Sequence, residues 1–302
     1  METLTQTVVG TDDRRAALAA RFERLRAATS ALCAPLSPED AVVQSMPDAS
    51  PAKWHMAHTT WFFETFVLSP ARPTRAPFHP DYSYLFNSYY ENVGARHARP
   101  ERGLVTRPSL EEVRAYRAAI ERELLEWLAA APRDGDAALL DVLELGLAHE
   151  EQHQELLVTD VKHLLSRNPL DPVYRAAPAP TPGRAAPPTW TRFPAGVRTL
   201  GHVGGGFAFD NEGPAHVVHV AAFELASRPV TCGEFLEFVA AGGYREPRWW
   251  LSDGWQWVCE SGVDAPGYLR RDDGAWSLFT LAGRRAPVAD EPLAHVSYYE
   301  AD

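Results

Sequence analysis

Cysteine is scarce in this sequence: Cys33, Cys232 and Cys259 are the three in 302 residues, odd in number, far apart and never in a Cys-x-x-Cys pair. A disulfide framework is excluded, and a reducing compartment is the expected setting. Positive charge is in deficit as well. Twenty-nine Lys and Arg against 40 Asp and Glu leave a net charge of −11, the wrong sign for gripping nucleic-acid phosphates or an anionic membrane face. No window approaches the ~18 continuous apolar residues of a membrane span, and Met1 to Arg15 lacks the apolar run of a secretory signal. Repeats and long charge runs are missing too. The expectation is a cytoplasmic chain with no nucleic-acid and no membrane partner, acting on small molecules. What is present, 45% hydrophobic and 23% charged residues, is ordinary globular composition over a length worth about two domains.

Composition breaks once, between Asn168 and Pro194, where closely spaced prolines leave no room for a helix or a central strand. The sequence therefore divides into residues 1–167, an extended surface linker over 168–194, and residues 195–302. Four helices are expected before the break. Leu18, Phe22, Leu25 and Leu32 form one stripe after Thr11, and Ser50-Pro51 opens a second helix running to about Val67. Ser109 and Glu112 make a capping box for a third helix, which carries Val113, Ile120, Leu124, Trp127 and Leu128. The fourth spans about Asp136 to Leu165. With one long crossover, Ser69 to Pro108, this pattern is a four-helix bundle, an architecture whose core commonly hosts metals. After the linker come glycines at Gly201 to Gly206 and short strand-like runs at Val217–Val220 and Ala222–Leu225. A helix at about Thr231–Ala240 and tryptophans at 249, 250, 255 and 257 complete an irregular α+β domain. Val296 to Asp302 reads as a Ser-capped helix start without continuation, and the residues after the linker are few for a loop-rich domain. A truncated second domain is expected.

The sharpest chemical feature is Ala148-His149-Glu150-Glu151-Gln152-His153-Gln154-Glu155. His149 and His153 stand at i, i+4 and project side by side, as two imidazoles gripping one metal must. Glu150 also reproduces the glutamate position of HExxH. A zinc protease, however, needs a third ligand downstream, and before the helix ends in the proline linker only His163 follows, rotated away from the pair. The competing reading is a solvated face with two incidental histidines. A third ligand strengthens the metal reading. His55 and His58 lie in the second helix among Trp54, Trp61 and Phe62, whose aromatic character implies burial, and a buried imidazole needs a polar partner. A metal would serve for one, a backbone carbonyl for the other, and spacing does not choose between them. Three imidazoles without a carboxylate leave positions open and suit iron, copper, nickel or zinc. In the crossover, Tyr89 and Tyr90 could offer a phenol to the reaction or merely pack the loop. Arg96, Arg99 and Arg102 could bind a carboxylate bidentately or stay solvated.

Taken in order, Trp54-His55-Met56-Ala57-His58-Thr59-Thr60-Trp61, Phe86-Asn87-Ser88-Tyr89-Tyr90 and the His149–Glu155 segment resemble the sulfoxide synthases of ergothioneine biosynthesis. That resemblance implies a DinB-like four-helix bundle followed by an irregular domain of the C-type-lectin, formylglycine-generating-enzyme-like kind. It also implies a non-haem Fe(II) held by His58, His149 and His153, with His55 outside the ligand set. Gln152 matches a glutamine that contacts the imidazole of hercynine. Tyr89 and Tyr90 match the pair of the branch using free cysteine rather than γ-glutamylcysteine, with Arg96 or Arg99 as carboxylate partners. The implied reaction consumes O2 and joins cysteine to hercynine through a C–S bond that is also sulfoxidised. Alternatives are a selenoneine- or ovothiol-type synthase, a zinc-dependent DinB-like thiol transferase, and a metal-binding protein without catalysis.

Overall fold

A computed structural model describes residues 11–178 and 180–302; of the Met1 to Arg15 stretch read for a secretory signal, residues 1–10 lie outside the described residues. The chain divides into two compact units, residues 1–167 and 168–302.

The first unit is helical. Its long elements are α1 (Thr11–Cys33), α2 (Ala52–Phe63), α5 (Leu110–Ala129) and α6 (Asp136–Ser166), while α3 (Ser69–Ala71), α4 (Tyr82–Phe86) and two 3-10 turns punctuate the crossover. Both α1 and α2 pack against α5 and α6. The α1 stripe is Leu18, Phe22 and Leu25, all buried, but it ends on buried Cys33 rather than on Leu32. The Ser109–Glu112 capping box is formed on α5, and Val113, Ile120, Leu124, Trp127 and Leu128 are all buried.

Helix α2 departs from its expected start. Ser50 does not cap it, because the cap position is Pro51 and no side chain bonds the first turn; the Ser50 hydroxyl instead accepts from Arg102 Nη1 at 2.9 Å. All twelve residues of α2 are buried, so one side faces the bundle and the other is roofed by the crossover. Roofing a helix that carries Lys53, Trp54 and His58 demands acceptors. Crossover carbonyls supply them: Val105 and Pro108 for Lys53 Nζ, Leu85 for the Trp54 indole and Phe86 for His58 Nδ1. Past Phe63 the helix loosens into a π-turn, Glu64–Leu68, a distortion frequent beside functional sites.

One glycine sets the approach of α2 to α6. A Cβ on Gly146 would stand 2.6 Å from Phe63 Cε1 and 2.8 Å from Phe62 Cε1, so only a bare α-carbon lets the helices close one turn before His149.

The second unit is mixed α and β, as its composition implies. Three small antiparallel sheets pair β1 (Trp190–Phe193) with β4 (Phe223–Ala226), β2 (Gly196–Leu200) with β3 (His216–Val220), and β5 (Leu269–Asp272) with β6 (Ala275–Thr280) and β7 (Gly283–Arg285). Helices α7 (Cys232–Ala240) and α8 (Ser252–Ser261) flank a small core of Phe235, Tyr244, Trp250 and Val258. Ser297 caps the short α9 (Tyr298–Ala301) through a capping box. The proline-rich stretch is less uniform than expected. Strand β1 starts inside it at Trp190, and Tyr174 is buried, with its N–H donating to the Leu281 carbonyl at 3.0 Å.

Candidate metal centre

Helix α6 contributes His149 and His153, and α2 contributes His58. One ring nitrogen of each lies within 4.8 Å of the others, the three together forming a donor set able to hold one ion. The His58 Nδ1–H donates to the Phe86 carbonyl at 2.6 Å. That bond fixes its proton and turns the Nε2 lone pair inward, 3.2 Å from His149 Nε2. Two nitrogens each about 2.1 Å from one ion and roughly 90° apart are themselves about 3 Å apart, so this edge has ligand dimensions. The Nδ1 of His149 is buried without a hydrogen-bond partner among the described residues. An all-imidazole donor set suits a borderline transition metal.

Burial drives the site's electrostatics. Desolvation pushes His58 and His153 well below the ordinary imidazole range and His149 down to about 4, and neighbouring imidazoles push the first two the same way. Neutral rings are what a metal needs.

His55, three residues before His58, lines the same cavity but commits both ring nitrogens to other side chains: its Nε2 donates to Asp160 Oδ2 at 3.0 Å and its Nδ1 meets His153 Nδ1 at 2.9 Å. Glu150 also turns away. It is fully buried on the side of α6 that meets α1 and α5, about 100° round the helix from His149, where it accepts from Arg26 at 2.9 Å, Thr29 at 2.6 Å and Arg117 at 3.2 Å. Burial alone would raise its pKa, but Arg26 and Arg117 hold it down at about 2. The HExxH coincidence therefore has no counterpart in space, because this glutamate cannot reach the space between the histidines.

The three rings line a cavity of about 560 Å³ that also presents Trp54, Tyr89, Tyr90, Arg99, Arg102 and Gln152. Trp54 stacks on His58, centroids 4.5 Å apart and planes 11° off parallel, and the Arg102 guanidinium lies 3.4 Å from the Trp54 ring centroid. Tyr90 joins an aromatic wall with Trp61, Phe62 and Phe66, and Phe62 in turn lies 4.9 Å from the His149 ring. Burial raises the Tyr90 pKa, so its phenol stays protonated at neutral pH. Tyr89 is 67% exposed, and its hydroxyl accepts from Arg99 at 2.8 Å. The chain is not extended here, so both adjacent tyrosines reach the cavity. Asn87 is the staple: it accepts from the Tyr90 N–H and donates to the carbonyls of Tyr90 and Gly94.

Among the arginines, Arg96 is not brought to the cavity: it donates to the Ser88 carbonyl at 2.6 Å and lies over the Tyr89 ring. Arg99 reaches the cavity lining, as does Arg102. Arg102 is buried, bonds the Ser50 and Ser88 hydroxyls, and keeps an Nε without a partner among the described residues. Burial lowers its pKa to about 10, which leaves it cationic. Sequence reasoning missed Asp160, although its position seven residues past His153 places it on the same face of α6.

Residues 21–157 match the DinB superfamily, and residues 176–302 match the sulfatase-modifying factor enzyme 1-like domain. The chain is 32% identical over 289 residues to a hercynine oxygenase of Mycobacterium tuberculosis, covering 94% of this chain and 64% of that protein. It is 33% identical over 257 residues to one of Mycolicibacterium thermoresistibile, covering 85% of this chain and 55% of that protein. A third hercynine oxygenase, from Mycolicibacterium smegmatis, is 32% identical over 265 residues, 86% of this chain and 58% of that protein. The chain thus spans about three fifths of the length of the curated relatives it matches. Among the described residues, no helix is long and apolar enough to cross a membrane.

Proposed function

We propose that this chain, a DinB-superfamily bundle joined to a sulfatase-modifying factor enzyme 1-like domain and similar to hercynine oxygenases, is a sulfoxide synthase of ergothioneine biosynthesis. In this reading it joins hercynine to cysteine through a C–S bond in an O2-dependent reaction. The observation that carries the proposal is the meeting of His58, His149 and His153 in a cavity that also presents two tyrosines, a glutamine and two arginines.

Those three histidines would hold Fe(II). When bound, the ion would supply a site for a thiolate and the redox chemistry of O2. The remaining work falls to the chain. Gln152, one residue before His153 and about 100° round the helix from it, offers an amide to the hercynine imidazole without joining the ligand set. Arg99 and Arg102 offer donors to a cysteine carboxylate, Arg102 from a buried position where a charge-assisted bond is strong; Arg96 is engaged by the Ser88 carbonyl and the Tyr89 ring instead. The Tyr90 phenol, which lines the same cavity as His149 and packs its ring against Trp61, Phe62 and Phe66, is the proton donor. Free cysteine is the proposed sulfur donor, in keeping with the Tyr89-Tyr90 pair.

The test is direct. Protein loaded with Fe(II) without air is mixed with hercynine, cysteine and O2, and the product mass and O2 uptake are followed. Formation of the hercynine–cysteine sulfoxide is expected, with γ-glutamylcysteine turned over more slowly in competition. Absence of any C–S product from Fe(II)-loaded protein that still binds hercynine overturns the proposal.

A further inference from the structure

Asp160, His55 and His153 form an unbroken chain of polar contacts from the bundle surface to the edge of the metal centre. Asp160 Oδ2 accepts from the Ser50 N–H at 2.8 Å and from His55 at 3.0 Å. His55 Nδ1 then meets His153 Nδ1 at 2.9 Å. Directions follow from the ends. A carboxylate only accepts, so His55 carries its proton on Nε2 and leaves Nδ1 as an acceptor. The contact at Nδ1 is then made by an N–H on His153 Nδ1, which leaves the His153 Nε2 lone pair bare.

We propose that the Asp160–His55 pair positions His153, fixing both its tautomer and its ring angle so that Nε2 is presented to the metal. The pair does for His153 what the Phe86 carbonyl does for His58. A carboxylate behind a ligand imidazole is a familiar device; here it acts at one remove, through a second imidazole. The geometry explains why His55 is buried yet outside the donor set, and why α6 carries an acid seven residues beyond a ligand. His55 is 3% exposed and Asp160 15% at the side chain, so water competes poorly for either bond. This inference rests on the three-histidine site proposed above.

Co(II) titration of the metal-free protein, followed by visible absorbance, separates the two claims. Wild type should bind one Co(II), and His58→Ala should abolish the signal; if wild type binds none, the site itself fails. Given binding, His55→Phe and Asp160→Ala should each weaken affinity roughly 10–100-fold. The double variant should be no weaker than the worse single one, since both break the same chain. His55→Gln, whose amide oxygen can accept from His153, should recover affinity relative to His55→Phe. A purely structural role would lower the melting temperature of the metal-free protein while leaving Co(II) affinity intact. If His55→Phe is poorly folded, Asp160→Ala and His55→Gln decide the question by the same titration. Wild-type Co(II) affinity in His55→Phe or Asp160→Ala, or equal losses in His55→Gln and His55→Phe, overturns the proposal.

Discussion

Replacing Glu150 with glutamine removes a single charge from the side of the metal helix that meets α1 and α5, at the position where a zinc protease would keep its base. Glu150 is fully buried, and Arg26 and Arg117 are 2% and 3% exposed, so neither guanidinium recovers its lost partner from water. Arg26 retains Glu121 at 2.8 Å and Arg117 lies 3.7 Å from the same carboxylate. Breaking a buried pair costs about 3–5 kcal/mol; with Glu121 still present and the glutamine carbonyl still accepting, about 3 kcal/mol is expected. For a unit of this size that lowers the melting temperature by roughly 6–12 °C. Because the folded-state pKa of Glu150 is depressed to about 2, its stabilisation is fully present above an ordinary carboxylate pKa near ~4.5 and is lost as pH falls through about 2. The gap between wild type and Glu150→Gln should therefore be widest at neutral pH and close across that acid window. Urea denaturation of the metal-free proteins at several pH values measures it, with turnover assayed at a temperature where both are folded. A Glu150→Gln protein that is as stable as wild type but catalytically dead would refute the structural assignment and restore Glu150 as an acid or base.

Four further outcomes are expected. His58→Ala should lower Fe(II) affinity more than about 100-fold, beyond the effect typical of an outer partner, as read by iron content after dialysis; retention of iron would remove His58 from the ligand set. Gln152→Leu should leave iron in place and weaken hercynine binding by about 1 kcal/mol, roughly five-fold, with calorimetry as the check. Tyr90→Phe keeps the ring on its aromatic wall and removes the proton, so sulfoxide formation should fall roughly 100-fold or more with iron content unchanged; parental rates in Tyr89→Phe, Tyr90→Phe and the double variant would make the pair structural. Gly146→Ala should cost about 1–3 kcal/mol through overpacking against Phe62 and Phe63 and weaken Co(II) binding by parting α2 from α6, whereas unchanged stability and affinity would show that the helices have room to spare.

Much of this was legible in the sequence because it is encoded at short range. The caps at Ser109 and Ser297 need only four consecutive residues, and the His149–His153 pair needs only the helical repeat. The aromatic content of residues 54–63 announced a buried helix, and the proline cluster marked a boundary. Sequence spacing left His55 and His58 equivalent, since both sit on one buried helix. They were separated by partners far along the chain: Phe86 and His149 for one, Asp160 and His153 for the other. Glu150 carried the look of a catalytic base until Arg26, Thr29 and Arg117, from two other helices, claimed it. Arg102 outranked Arg96 only once Trp54 and two serine hydroxyls had enclosed it. A helix dictates which side chains share its face, but what each face meets, and so which imidazoles stay neutral with a lone pair free and which carboxylate is neutralised, is decided by packing between helices distant in sequence.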